Sequence, residues 1–82
     1  MLEHLKDAAK TVGVKQTRRA IREGLAAEVF LASDADDHIR QPILELCAET
    51  GTPLTPVDSM EELGAACGIE IGASAAALLK NE

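Results

Sequence analysis

The spacing of apolar positions changes several times along the chain, and each change predicts a change of element. In "LEHLKDAAK", residues 2–10, Leu2, Leu5 and Ala9 fall on one side of a short helix. "TVG", 11–13, reads as a short strand or a turn. A second helix is expected over about 15–23, with Val14, Ala20 and Ile21 free to face a core. Gly24 stands where a left-handed residue closes a helix. "AEVFLAS", 27–33, loses the helical period. It is short and apolar, with a β-branched and an aromatic residue, and reads as a buried strand. "DADD", 34–37, can cap the next helix and place negative charge on its positive end. That helix is expected to reach about Glu49 with Ile39, Ile43, Leu44 and Cys47 inward, and to end at Gly51. Pro42 bends it unless it lies in the first turn.

"TPLTPVDS", 52–59, holds a short strand between prolines, the mark of an edge or a bulge. "SMEE", 59–62, is a capping box: Ser59 can accept from the amide of Glu62, and Glu62 can reach back to the amide of Ser59. The helix it opens should stop at Gly68. "GIEIGASAAALLK" then gives a loop and a last apolar strand over about 73–79. Helices and strands alternate throughout, which predicts an α/β domain with helices on both faces of a small sheet.

Composition narrows the reading. One domain over residues 1–82 is expected, burying about 60–65% of its unfolded surface. Phe30 is the sole aromatic in the sequence, so the core must be aliphatic. The N-terminus is charged and amphipathic and does not read as a signal peptide. No stretch approaches the roughly 20 apolar residues of a membrane span. Cys47 and Cys67 form no CxxC pair, and the expectation is a reduced, cytoplasmic protein. A formal charge of −6 argues against nonspecific attraction to DNA or to an anionic membrane.

Against that acidic background, "GVKQTRRAIREG", 13–24, gathers Lys15, Arg18, Arg19 and Arg22, half of the eight basic side chains. At i, i+3, i+4 and i+7 they share an arc of roughly 100° on a helix, so the charge forms one stripe. Gly13 permits close backbone approach just before it, and the free amides of a helix start add to the same positive field. The combination suits a polyanion: Arg and Lys neutralise phosphates, and Gln16 can read base edges through its amide. The alternative is a solvated basic face without a partner. A helix-turn-helix is a third reading. It fails because a strand-like run follows where a third helix is needed, and because −6 is a poor charge for duplex DNA.

"GIEIGAS", 68–74, sets Ile69 and Ile71 on either side of Glu70 between two glycines. Both isoleucines can belong to the core, or the loop can be an exposed apolar wedge that packs on an unstacked base. Stacking platforms of the kind single-strand binders use are absent. A catalytic reading has little to rest on. His4 and His38 lie in separate segments, and Asp34, Asp36 and Asp37 lack the spacing of a calcium loop. No GxGxxG, phosphate-binding loop or nucleophile elbow occurs. Neither cofactor nor metal is expected.

The two unusual stretches, in this order and at this separation, resemble the L7Ae ribosomal protein family, most closely its short bacterial members that bind kink-turn RNA. "GVKQTRRAIREG", "VFLASDAD" and "DSMEELGAACGIEIGASAAA" carry the resemblance, which covers nearly the whole chain. It implies a three-layer α/β/α sandwich around a small mixed β-sheet. It also implies noncatalytic recognition of a kink-turn, an RNA duplex sharply bent at a three-nucleotide bulge beside tandem sheared G·A pairs. By that resemblance Gly13, Lys15, Gln16 and Arg19 would enter the major groove at those pairs, with Val14, Arg18 and Arg22 beside them. Ile69, Glu70 and Ile71 would cover an extruded nucleotide. The archaeal pattern reads G-x-N-E-x-x-K; here Lys15 and Gln16 stand at the Asn and Glu, and Arg19 keeps the cation. The implied partner is a structured RNA (ribosomal RNA, a riboswitch or another), bound by a monomer, with ribosome association a further implication. The changed Asn-Glu pair and the −6 charge leave one alternative open: a protein-interaction module of the same fold without RNA binding.

Overall fold

A computed structural model describes residues 9–80. The elements run β1 (Lys10–Val12), α1 (Val14–Arg22), β2 (Ala26–Ala32), α2 (Asp37–Thr50), β3 (Leu54–Val57), α3 (Met60–Cys67) and β4 (Ala75–Leu79). Among the described residues the strands form one mixed sheet in the order β1-β4-β2-β3. β4 is antiparallel to both of its neighbours, whereas β2 and β3 are parallel.

Alternation along the strands separates two apolar layers. Val29, Leu31, Ala75 and Ala77 pack with Ala20 and Ile21 of α1 and with Ile43 and Cys47 of α2. Phe30, Ala32 and Ala76 face the other way, against Leu63 and Cys67 of α3 and against Val57. The result is the three-layer α/β/α sandwich with a small mixed sheet, in which β2 is buried on both faces. Ala75, Ala76 and Ala77 are fully buried. Three short side chains in a central strand let helices approach from both sides.

Several local expectations are met by visible causes. Gly24, Gly51 and Gly68 close their helices with φ of 73°, 72° and 84°, a region costly for residues with a Cβ. β3 is an edge strand, so Pro56 removes no hydrogen bond from the interior. The Ser59 hydroxyl accepts from the Glu62 amide at 3.1 Å, one half of the capping box. The Met60 amide donates instead to Asp34 Oδ1 at 2.8 Å. Replacing Ser59 by alanine is expected to lower stability by about 1 kcal/mol, read as a shift of the denaturant midpoint at unchanged slope.

Other expectations are corrected. Most of the helix expected over 2–10 lies outside the described residues, but its last residue, Lys10, opens β1. Tertiary pairing explains this: Lys10, Thr11 and Val12 lie opposite Leu78, Ala77 and Ala76, and Thr11 and Val12 are β-branched. Asp36 occupies the cap position of α2 without a side-chain hydrogen bond, while Asp34 caps α3 across 26 residues. β4 begins at Ala75 and not at 73, because the Ala73 amide is bound to the Met60 carbonyl at 3.0 Å. Pro42 is no correction: it lies beyond the first turn, inside a helix that runs on to Thr50, where a bend is the expectation.

The strand directions bring the carboxyl ends of β1, β2 and β3 together with the start of β4. Backbone bonds lace this end of the sheet. Gly13 N–H donates to Ala75 O at 2.9 Å, Ala32 N–H to Ser74 O at 2.9 Å, and Ser33 N–H to Val57 O at 2.7 Å. Gly13, the 33–36 turn and the 68–74 loop therefore converge on one rim.

Candidate functional site

α1 follows Gly13 without a spacer, and the glycine is required. Its φ of 113° and ψ of 155° lie in a region that only glycine occupies readily. A Cβ there would stand 3.1 Å from Gln16 Oε1, so the Gln16 amide folds back over the helix start. No side chain caps α1 and no acidic residue stands in its first turn, so nothing there offsets the positive helix end.

Thr17, Ala20 and Ile21 are the buried face of α1. Lys15, Gln16, Arg19 and Arg22 are exposed, and Arg18 is half-buried. With Arg18 they line a shallow depression of about 430 Å³, so four cations and one amide share a concave surface. Arg19 Nε is 3.1 Å from Glu23 Oε2 in an exposed pair. Such pairs contribute under about 1 kcal/mol, and a phosphate can displace the carboxylate at little cost. Arg19 and Arg22 also lie in the last turn, where cations suit the helix dipole. That role alone would not require Lys15 or Arg18.

The 68–74 loop divides its two isoleucines. Ile69 is half-buried against the Phe30–Leu63–Cys67 cluster. Ile71 is 75% exposed, and Glu70 beside it is exposed as well. The loop reaches α1 through its end, since Ala75 O accepts from Gly13 N–H. The start of α1 and the 68–74 loop therefore meet at one rim; Ile71 is the exposed apolar group of the loop, and the basic depression runs from that start along α1 to Arg22.

A second recess of about 250 Å³ lies beside α1, lined in part by Thr11, Gln16, Arg19, Leu25 and Leu79. Leu25 is 43% exposed. Periodicity does not single it out, because it falls in the turn between two elements. Of the acidic residues in "DADD", Asp34 caps α3 and Asp37 lies 3.1 Å from Arg40 Nη1. Burial pushes the thiols of Cys47 and Cys67 up from their ordinary values, an effect that Lys10 partly opposes at Cys67. Both pack in the apolar layers, on opposite sides of the sheet. His38 is exposed at the start of α2, and His4 lies outside the described residues. Among the described residues no helix is long and apolar enough to cross a membrane.

Comparison with known proteins gives these features a context. An RNA-binding protein of Geobacillus sp. (strain WCH70) is 48% identical over 79 residues, spanning 95% of this chain and 96% of that one. The large ribosomal subunit protein eL8 of Halobacterium salinarum is 40% identical over 83 residues, covering 95% of this chain and 69% of that protein. A solved structure titled as a 15.5 kD RNA binding protein of Giardia lamblia has a TM-score of 0.89 at 25% identity, covering 99% of this chain and 69% of its own. Residues 2–82 match one family over nearly their whole length, and the chain belongs to the ribosomal protein L7Ae/L30e/S12e/Gadd45 family.

Proposed function

We propose that this protein is a noncatalytic RNA-binding protein that recognises and stabilises kink-turns, acting as a monomer in the cytoplasm and without affinity for DNA or membranes. One observation carries the reading: a concave basic face runs along α1 from Gly13, and Gly13 is tied by its hydrogen bond to Ala75 to the rim that carries the loop with the exposed Ile71. Relatives described as RNA-binding, at close to half identity, support the same class of ligand. Bent RNA crowds its phosphates, and Lys15, Arg18, Arg19 and Arg22 supply the neutralising charge where crowding is greatest. Gln16, held over Gly13, offers an amide to base edges. Glu70 and Ile71 present a small wedge to an unstacked nucleotide, with the half-buried Ile69 as its root. An acidic remainder restrains nonspecific attachment. The protein acts by binding the kinked state more tightly than the extended one, which shifts a pre-existing equilibrium. The physiological RNA follows from which kink-turns are available, ribosomal RNA among them.

The deciding experiment is a titration into a short duplex containing a kink-turn, beside a control whose tandem G·A pairs are replaced by Watson–Crick pairs. Tight binding to the first alone is expected. Equal and weak binding to both would refute the proposal and favour the protein-interaction reading, which the Arg19–Glu23 pair and the neutral Gln16 support.

A further inference from the structure

The 68–74 loop has few residues of its own to hold it, yet its tip is closely constrained. Gly68 N–H donates to Ala65 O at 3.0 Å and Ile69 N–H to Gly64 O at 3.0 Å, which fixes the loop's departure from α3. Its return is held by Met60. The Met60 carbonyl accepts from Ala73 N–H at 3.0 Å, and its sulfur accepts the Ser74 hydroxyl at 3.4 Å. Met60 is itself fixed by Asp34, which accepts its amide. Between departure and return only Glu70, Ile71 and Gly72 remain.

Ile71 and Gly72 lie down on α3, and Gly64 is the reason they can. A Cβ at Gly64 would overlap the carbonyl oxygen of Ile71 and stand 3.0 Å from its carbonyl carbon and 3.1 Å from Gly72 Cα. Gly64 lies inside a helix, where glycine is unfavourable relative to alanine. Close approach of the loop backbone is the compensating reason for it. A Cβ at Gly72 would likewise stand 3.2 Å from Met60 Cβ. With the peptide of Ile71 pressed on the helix, its side chain remains 75% exposed.

From this geometry we infer that Gly64 and Met60 are positioning residues, which set the height and direction of Ile71 for contact with an unpaired, bulged nucleotide. The inference rests on the RNA-binding reading above. Neither residue needs to touch RNA. They act by keeping the tip in one conformation, so that its ordering is complete before RNA arrives.

The test compares a kink-turn duplex with the same duplex lacking its bulged nucleotides, against the parent protein, Gly64→Ala, Met60→Leu and Ile71→Ser. Gly64→Ala is expected to weaken kink-turn binding about tenfold, the loss of part of one buried isoleucine contact. Met60→Leu keeps the volume but removes the sulfur acceptor, and should weaken it about threefold. Binding to the bulge-free duplex and the salt slope should not change, because no charge is altered; a general folding defect would weaken both duplexes alike. If Ile71→Ser loses the discrimination while Gly64→Ala and Met60→Leu keep it, the positioning role is overturned and the RNA-binding reading stands. If the parent itself does not discriminate, the RNA-binding reading fails and the inference with it. Should Gly64→Ala not fold, Met60→Leu decides alone: selective loss supports the role, and selectivity equal to the parent's overturns it.

Discussion

Replacing Lys15, Arg19 and Arg22 together by glutamine is expected to weaken kink-turn binding about a hundredfold at 0.1 M salt. These are the exposed cations of the α1 depression; Arg18, half-buried, is left in place to preserve the packing of its stem. Each phosphate contact releases condensed counterions, so removing three lowers the logarithmic salt slope by about 2 to 3. Between 50 and 200 mM salt the parent's loss of affinity should therefore exceed the variant's by about 16- to 64-fold. The stripe is solvent-facing, and its removal should leave the melting temperature nearly unchanged. A salt titration on one kink-turn duplex separates the possibilities. Parallel slopes for parent and variant would mean that the stripe is an ordinary solvated face.

The largest loss of stability is expected at Phe30. It is 1% exposed, the sole aromatic side chain, and packs between the centre of the sheet and α3. Truncation to alanine should remove about 3–5 kcal/mol, since both transfer free energy and a cavity term are lost. The neighbours cannot collapse into the space. Ala32, Ala73 and Ala76 are already small, and Leu63 is held in α3. Small domains sit near the low end of the usual 5–15 kcal/mol range, so this one substitution removes a large share of the total. Denaturant unfolding followed by circular dichroism reads the effect. A shift under about 1 kcal/mol would mean that the core repacks far more freely than its alanine-rich lining allows.

The legible parts of this fold were those with local causes. β2 announced itself as a short apolar run because it is buried on both faces. Gly24, Gly51 and Gly68 marked helix ends because a left-handed turn has few other occupants. The stripe on α1 and the apolar loop were visible as patterns of charge and hydropathy within a dozen residues. What could not be read were relations between distant segments. Nothing near Asp34 says that it caps a helix beginning at Met60. Nothing in "GIEIGAS" separates Ile69 from Ile71, because burial of one and exposure of the other depends on where α3 lies beneath them. "TVG" reads equally as a strand or a turn, and only the pairing of Thr11 and Val12 with Ala77 and Ala76 decides between them. Gly64 carries no signal of its own inside a helix, and only the path of Ile71 above it explains the residue.

The position of β4 has a consequence for how the chain reaches this structure. β1 and β2 are not paired with each other; each pairs with β4, the last strand among the described residues. Thr11 meets Ala77 across most of the chain length, a non-local contact that slows folding because loop closure must precede it. Until Ala75–Leu79 has been synthesised and docked, β1 has no neighbour, and the apolar β2 keeps one edge open to other chains. A growing polypeptide therefore carries the apolar edge of β2 unprotected until Ala75–Leu79 emerges, and that strand shields both partners in a single step.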